Sequence, residues 1–132
     1  MIGILNYGLG NILAFVNVYK RLHLPVKVVR EPSDLKDVEK LILPGVGAFD
    51  HAMKLFNQSG LRAPVEELIF NGKTPVLGIC VGMQMLADAS EEGELPGLGW
   101  IGGRVTRVAA ESASDLVRLP HMGWNTVQVS GN

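Results

Sequence analysis

The chain has one cysteine, Cys80, set in Pro75-Val76-Leu77-Gly78-Ile79-Cys80-Val81-Gly82-Met83-Gln84. The run reads as a buried strand, a sharp turn with a sulfur at its apex, and the start of a helix. This is the cysteine counterpart of the G-x-S-x-G elbow. Gly78 and Gly82 flank Cys80 and remove side chains that would crowd the turn. At a helix N-terminus, free backbone N–H groups favour negative charge on the sulfur. The N–H of Val81 is the natural donor to an oxyanion formed by attack from that sulfur. A lone cysteine is ordinarily a small buried hydrophobe, but two flanking glycines at a strand–helix junction favour the nucleophile.

A second glycine-rich turn, Pro44-Gly45-Val46-Gly47, ends the preceding strand. In an open α/β sheet such turns converge on the ligand crevice at the carboxyl edge of the strands. Alone it is equally a tight turn without chemistry; beside Cys80 it becomes a candidate oxyanion loop. Two nucleotide-binding patterns fail. Tyr7-Gly8-Leu9-Gly10-Asn11 has Leu13 where the dinucleotide fingerprint needs its third glycine. Gly72-Lys73-Thr74 has Glu67 where a P-loop needs its first, and a strand follows instead of a helix.

A thiol nucleophile needs a base, and the histidines are His23, His51 and His121. His23 reads as a surface or capping residue after the first helix, and His51 as a solvated helix position. His121, in Leu119-Pro120-His121-Met122-Gly123-Trp124-Asn125, reads as part of a recognition loop. None has a nearby acid in a pattern that suggests an orienting triad.

The elements that must position these residues alternate. Strands are expected at 2–5, 26–29, 41–43 and 74–79. Helices are expected over about 11–22, 34–39, 48–57, 61–70 and 81–89. Strands alternating with helices imply an α/β fold: an open, mostly parallel sheet with helices on both faces. Residues 105–108 and 126–129 alternate apolar and polar, as half-exposed strands do. A chain ending among strands, with no closing helix, is expected to be C-terminally incomplete, a single domain over 1–132.

Composition narrows the classes. Of 132 residues, 47% are hydrophobic and 19% charged, with 12 basic against 13 acidic side chains. The formal charge of −1 leaves no electrostatic footprint for nucleic acid or an anionic membrane. One cysteine excludes an internal disulfide, no Cys/His cluster has metal spacing, and no cofactor motif is present. No apolar run approaches the roughly 20 residues of a membrane helix. The expectation is a soluble, cytoplasmic protein.

Four blocks, in order, carry a resemblance. They are Asn6-Tyr7-Gly8-x-Gly10-Asn11, Leu43-Pro44-Gly45-Val46-Gly47-Ala48-Phe49, Gly78-Ile79-Cys80-Val81-Gly82-Met83-Gln84 and Pro120-His121-Met122-Gly123-Trp124-Asn125. Together they resemble the glutaminase subunits of imidazole glycerol phosphate synthase, which are class I, triad-type glutamine amidotransferases of flavodoxin-like fold. The resemblance implies that Cys80 attacks the side-chain amide of glutamine, releases ammonia and leaves a glutamyl thioester. It implies an oxyanion hole from Val81 and, after a peptide rearrangement, from Val46 and Gly47. Gly45 and Gln84 would contact glutamine. Ammonia would pass to a (β/α)8-barrel cyclase, in a heterodimer of the histidine route. Asn11, Met122, Trp124 and Asn125 would lie on the face that meets the cyclase.

Two departures stand out. Asn6 replaces an aspartate usual in the family, and the family's His-Pro-Glu-type segment does not occur before Asn132. The implied consequence is negligible glutaminase activity for the 132 residues alone. Other readings stay open: an amidotransferase paralogue serving another synthase, a cysteine hydrolase of related topology, or a non-catalytic docking module.

Overall fold

Residues 1–108 and 123–130 are described by a computed structural model. Four short apolar segments form the central sheet: β1 (Ile2–Leu5), β2 (Val26–Val29), β3 (Lys40–Gly45) and β4 (Val76–Cys80). They run parallel in the order β2-β1-β3-β4. Parallel neighbours require crossovers, and helices supply them. The expected α/β architecture is therefore the observed one.

Helix α1 (Ile12–Arg21) follows β1. Asn11 is its N-cap, with its side-chain oxygen accepting from the Ala14 N–H at 3.2 Å. Ile12, Phe15, Val16 and Tyr19 recur at helical spacing and pack on one sheet face with Ile4, Ile42 and Ile79. The helix closes at Leu22, and His23 beyond it adopts φ 56° while its N–H bonds the Lys20 carbonyl. The capping reading of His23 holds.

The opposite face is covered by α2 (Phe49–Gln58), α3 (Arg62–Phe70) and α4 (Val81–Met85). Phe49, Met53 and Phe56 of α2 are fully buried against Leu41, Leu43 and Val65. Burying each such side chain contributes about 1.5–3 kcal/mol. β4 is an edge of this sheet among the described residues, and its Leu77 is 57% exposed.

Three expectations are corrected. The helix expected over 34–39 is a single 3₁₀ turn, Pro32–Leu35, begun by a capping box between Glu31 and Asp34. Lys36 turns to ψ 133° and Asp37 to φ 63°, so the segment leaves helical space after one turn. Too few residues remain to recover the cost of nucleation. The helix expected to Ala89 ends at Met85. The N–H groups of Leu98, Gly99 and Ile101 take the carbonyls of Met85, Ala87 and Leu86 and so cap the helix from outside. The chain then forms β5 (Ala89–Ser90), parallel to β6 (Arg104–Val105), in a separate two-stranded sheet. Residues 126–129 form no strand; Val127 and Val129 are exposed, and alternation alone does not supply a pairing partner.

Candidate functional site

β4 ends at Cys80 and α4 begins at Val81, with no residue between them. The turn is accommodated by Cys80 itself, which holds φ 57° and ψ −123°. A non-glycine residue rarely visits that region, and such strain costs on the order of 1–3 kcal/mol unless its surroundings dictate it. Here they do. Val81 and Met85 are buried in the main core, locking α4 against the sheet, while Cys80 remains exposed.

The three glycines around the elbow have a steric cause. A Cβ on Gly82 would lie 2.0 Å from the Leu43 carbonyl oxygen, and one on Gly45 would lie 2.2 Å from the Gly82 nitrogen. A Cβ on Gly78 would lie 2.6 Å from the Met83 Cα. The start of α4 thus rests directly on the backbones of β3 and β4.

The register sets the second half of the site. Gly45 is the strand partner of Cys80, as Leu43 is of Gly78. The Gly45-Val46-Gly47 turn leaves the sheet beside the sulfur-bearing residue, as expected. Val46 is 52% exposed, and Gly47 has φ +78° with nothing within 4 Å of its missing Cβ. Gly47 is therefore demanded by backbone conformation and not by crowding.

Tyr7 fixes the end of β3 from below. Its hydroxyl donates to the Pro44 carbonyl at 2.6 Å and lies 3.6 Å from the Met85 sulfur, and its ring packs edge-on to Phe56 at 5.4 Å. Burial pushes this hydroxyl up to about 12. A raised phenol pKa means the folded state resists ionisation, so its contribution is complete below about 10. That contribution is lost as pH rises from about 10 towards about 12. Tyr7→Phe should lower stability at neutral pH by about 1–2 kcal/mol, since the Pro44 carbonyl loses a donor. It should also flatten the stability profile between pH 10 and 12, as read by urea unfolding. Parallel profiles for the two proteins would show that Tyr7 does not titrate on unfolding.

The remaining expected residues are placed as follows. Gln84 is partly buried in the first turns of α4, and its Oε1 accepts from the Ser90 hydroxyl at 3.0 Å. Asn11, Trp124 and Asn125 are exposed; Met122 and His121 lie outside the described residues. His51 is exposed on α2, and among the described residues no hydrogen bond joins it or His23 to Cys80. No group of three metal-ligating side chains occurs among the described residues. None of their helices is long and apolar enough to cross a membrane.

Two groups escaped sequence reasoning. Asp50, at the start of α2, accepts from the N–H groups of Leu95 and Glu94 at 3.0 Å, and these donors hold its carboxyl below the usual range. It tethers the acidic turn Glu91-Glu92-Gly93-Glu94 to α2, lying against Gly93, where a Cβ would meet its oxygen at 2.2 Å. Ser90 is the other. No spacing rule marks either residue; only an aspartate in a helix's first turn is a recognisable capping signal.

Residues 8–115 match the SNO glutamine amidotransferase family. The imidazole glycerol phosphate synthase subunit HisH of Bdellovibrio bacteriovorus is 58% identical over 128 residues, which is 97% of this chain and 63% of that one. HisH of Leptospira borgpetersenii is 49% identical, over 96% of this chain and 62% of that one. The imidazole glycerol phosphate synthase hisHF of Emericella nidulans is 46% identical over 93% of this chain, but only 22% of its own length. A crystal structure of a glutamine amidotransferase superposes with a TM-score of 0.67 at 29% identity, covering 80% of this chain and 56% of that one. The chain thus spans a little over three fifths of the length of the HisH relatives. The family match takes in all of β3 through α4, so the strained cysteine elbow lies inside what is shared, and the chain belongs to the SNO glutamine amidotransferase family.

Proposed function

We propose that the chain carries the nucleophile of a glutaminase that feeds ammonia to a cyclase making imidazole glycerol phosphate. The observation that carries this is the pairing of exposed, strained Cys80 with Gly45 at the carboxyl edge of the sheet. The Cys80 sulfur attacks the side-chain amide carbon of glutamine. The N–H of Val81 and N–H groups of the Val46–Gly47 turn take the charge that develops on the oxygen. The carbon–nitrogen bond breaks, ammonia leaves with a proton, and a γ-glutamyl thioester remains. Water hydrolyses the thioester to glutamate and restores the thiol. Gly45 and Gln84 hold the substrate, and the proton given up by the thiol is the one that leaves with ammonia.

The partner in this reading is a (β/α)8-barrel cyclase in a cytoplasmic heterodimer. It uses the ammonia to form imidazole glycerol phosphate and an aminoimidazole carboxamide ribotide. Similarity to HisH proteins over nearly the whole chain supports it. Asn11, Trp124 and Asn125 are exposed, as an interface with the cyclase requires, and Met122 adjoins them in sequence.

The test carries this sequence in a polypeptide of its relatives' full length, assembled with a cyclase. Glutamine labelled with ¹⁵N in its amide should deliver label to the imidazole product, with one glutamate formed per product. Label delivered equally from added ammonium, with no glutamate formed, would defeat the proposal.

A further inference from the structure

Ser90 is nearly absent from the surface, 1% exposed, and Tyr7 with its buried hydroxyl aside it is the one buried polar residue among the described residues. Its hydroxyl is used twice. The oxygen accepts from the Glu92 N–H at 3.2 Å, and its single proton goes to Gln84 Oε1 at 3.0 Å. The hydroxyl could also accept from an amide NH2, but turning Gln84 round would take from the buried Ser90 proton the acceptor it has here, and this favours the carbonyl end of the amide facing Ser90. The carbonyl end is held inward, and the nitrogen is turned away.

No acceptor among the described residues takes an N–H of that nitrogen, and no buried side-chain nitrogen there is left without a partner. Among the described residues the Gln84 nitrogen thus has no acceptor, and it stands on the helix that starts at Cys80. We propose that Ser90 is a positioning residue: it orients Gln84 so that two N–H donors, and not a carbonyl, are offered to a ligand beside Cys80. This rests on the glutaminase reading and deepens it. The ligand group met by Gln84 is then a hydrogen-bond acceptor, a carboxylate or carbonyl oxygen of glutamine, and not its ammonium. Without Ser90 the amide is free to rotate, and the wrong end competes for the same place.

The test is a double-mutant cycle in the full-length polypeptide assembled with its cyclase, following glutamate formation. Ser90→Ala should raise KM for glutamine on the order of fivefold, the worth of a neutral hydrogen bond, with kcat changed less than about twofold. In a Gln84→Ala background, Ser90→Ala should add almost nothing, because the group it orients is gone. Ser90→Cys keeps the volume but donates weakly, and should repeat the KM effect if the alanine variant does not fold. An unchanged KM, a loss confined to kcat, or a full Ser90 effect in the Gln84→Ala background would overturn the inference. A wild-type complex that forms no glutamate overturns the glutaminase reading, and this inference with it.

Discussion

Replacing Cys80 by alanine is expected to lower glutamine-dependent turnover by on the order of 10⁴-fold or more, while ammonium-dependent synthesis by the partner is retained. The size follows from the step removed. Without the sulfur no thioester forms, and only binding and oxyanion stabilisation are left to help a water molecule attack an amide. The alanine should not unfold the chain. Cys80 is exposed, and its strain resides in the backbone, which alanine shares. Serine is the sharper comparison. It keeps an attacking atom at the same apex but of lower nucleophilicity at neutral pH, so activity should stay within about tenfold of the alanine variant. Glutamate formation in the assembled full-length protein measures both. A Cys80→Ala protein that keeps more than a few per cent of wild-type glutaminase rate would remove Cys80 from the chemistry.

The second large effect is structural. Gly82→Ala places a methyl 2.0 Å from the Leu43 carbonyl oxygen and within 3.0 Å of the Leu43 and Pro44 carbonyl carbons. These are backbone atoms in a sheet and cannot swing aside as a side chain would. Relief requires α4 to lift from β3, which uncovers Val81 and Met85. We expect a loss of about 3 kcal/mol or more, at or above the upper end of ordinary overpacking. For a domain of this size that corresponds to a fall in Tm of roughly 10 °C or more. Gly47→Ala meets no atom but must adopt φ +78°, at about 1–2 kcal/mol. Gly102→Ala meets nothing within 4 Å and no positive φ, and should stay within about 0.5 kcal/mol. Thermal unfolding of the three variants checks the ranking. A Gly82→Ala protein as stable as Gly102→Ala would show that α4 does not rest on β3.

The elements nearest the chemistry were the most legible in the sequence. Gly78 and Gly82 around Cys80, at a change from strand to helix, disclose an elbow because few other contexts need that spacing. The register that pairs Gly45 with Cys80 is less visible, but both end strands of one parallel sheet, so their meeting follows from topology. What stayed hidden depends on partners distant in the chain. The end of α4 is decided by N–H groups from residues 98–101, which helical propensity cannot foresee. The helix expected at 34–39 had suitable residues but too few of them. Tyr7 looked like part of a glycine loop, and its hydroxyl's attachment to Pro44 emerges only once β3 is beside it. The roles of Ser90 and Asp50 hang on a few hydrogen bonds each, which leave no periodic trace.

The pairing of Gly45 with Cys80 also bears on how the molecule acquires its site. Helices α2 and α3 lie between the two residues in sequence, so no local turn brings them together. A long loop must close before any of their contacts form, and parallel pairing of this kind is slow for that reason. The elbow further requires β3 to be in place, since the start of α4 lies on its backbone. The thiol therefore stays unaligned until β4 docks on β3, and the nucleophile reaches its working position only with that long-range pairing.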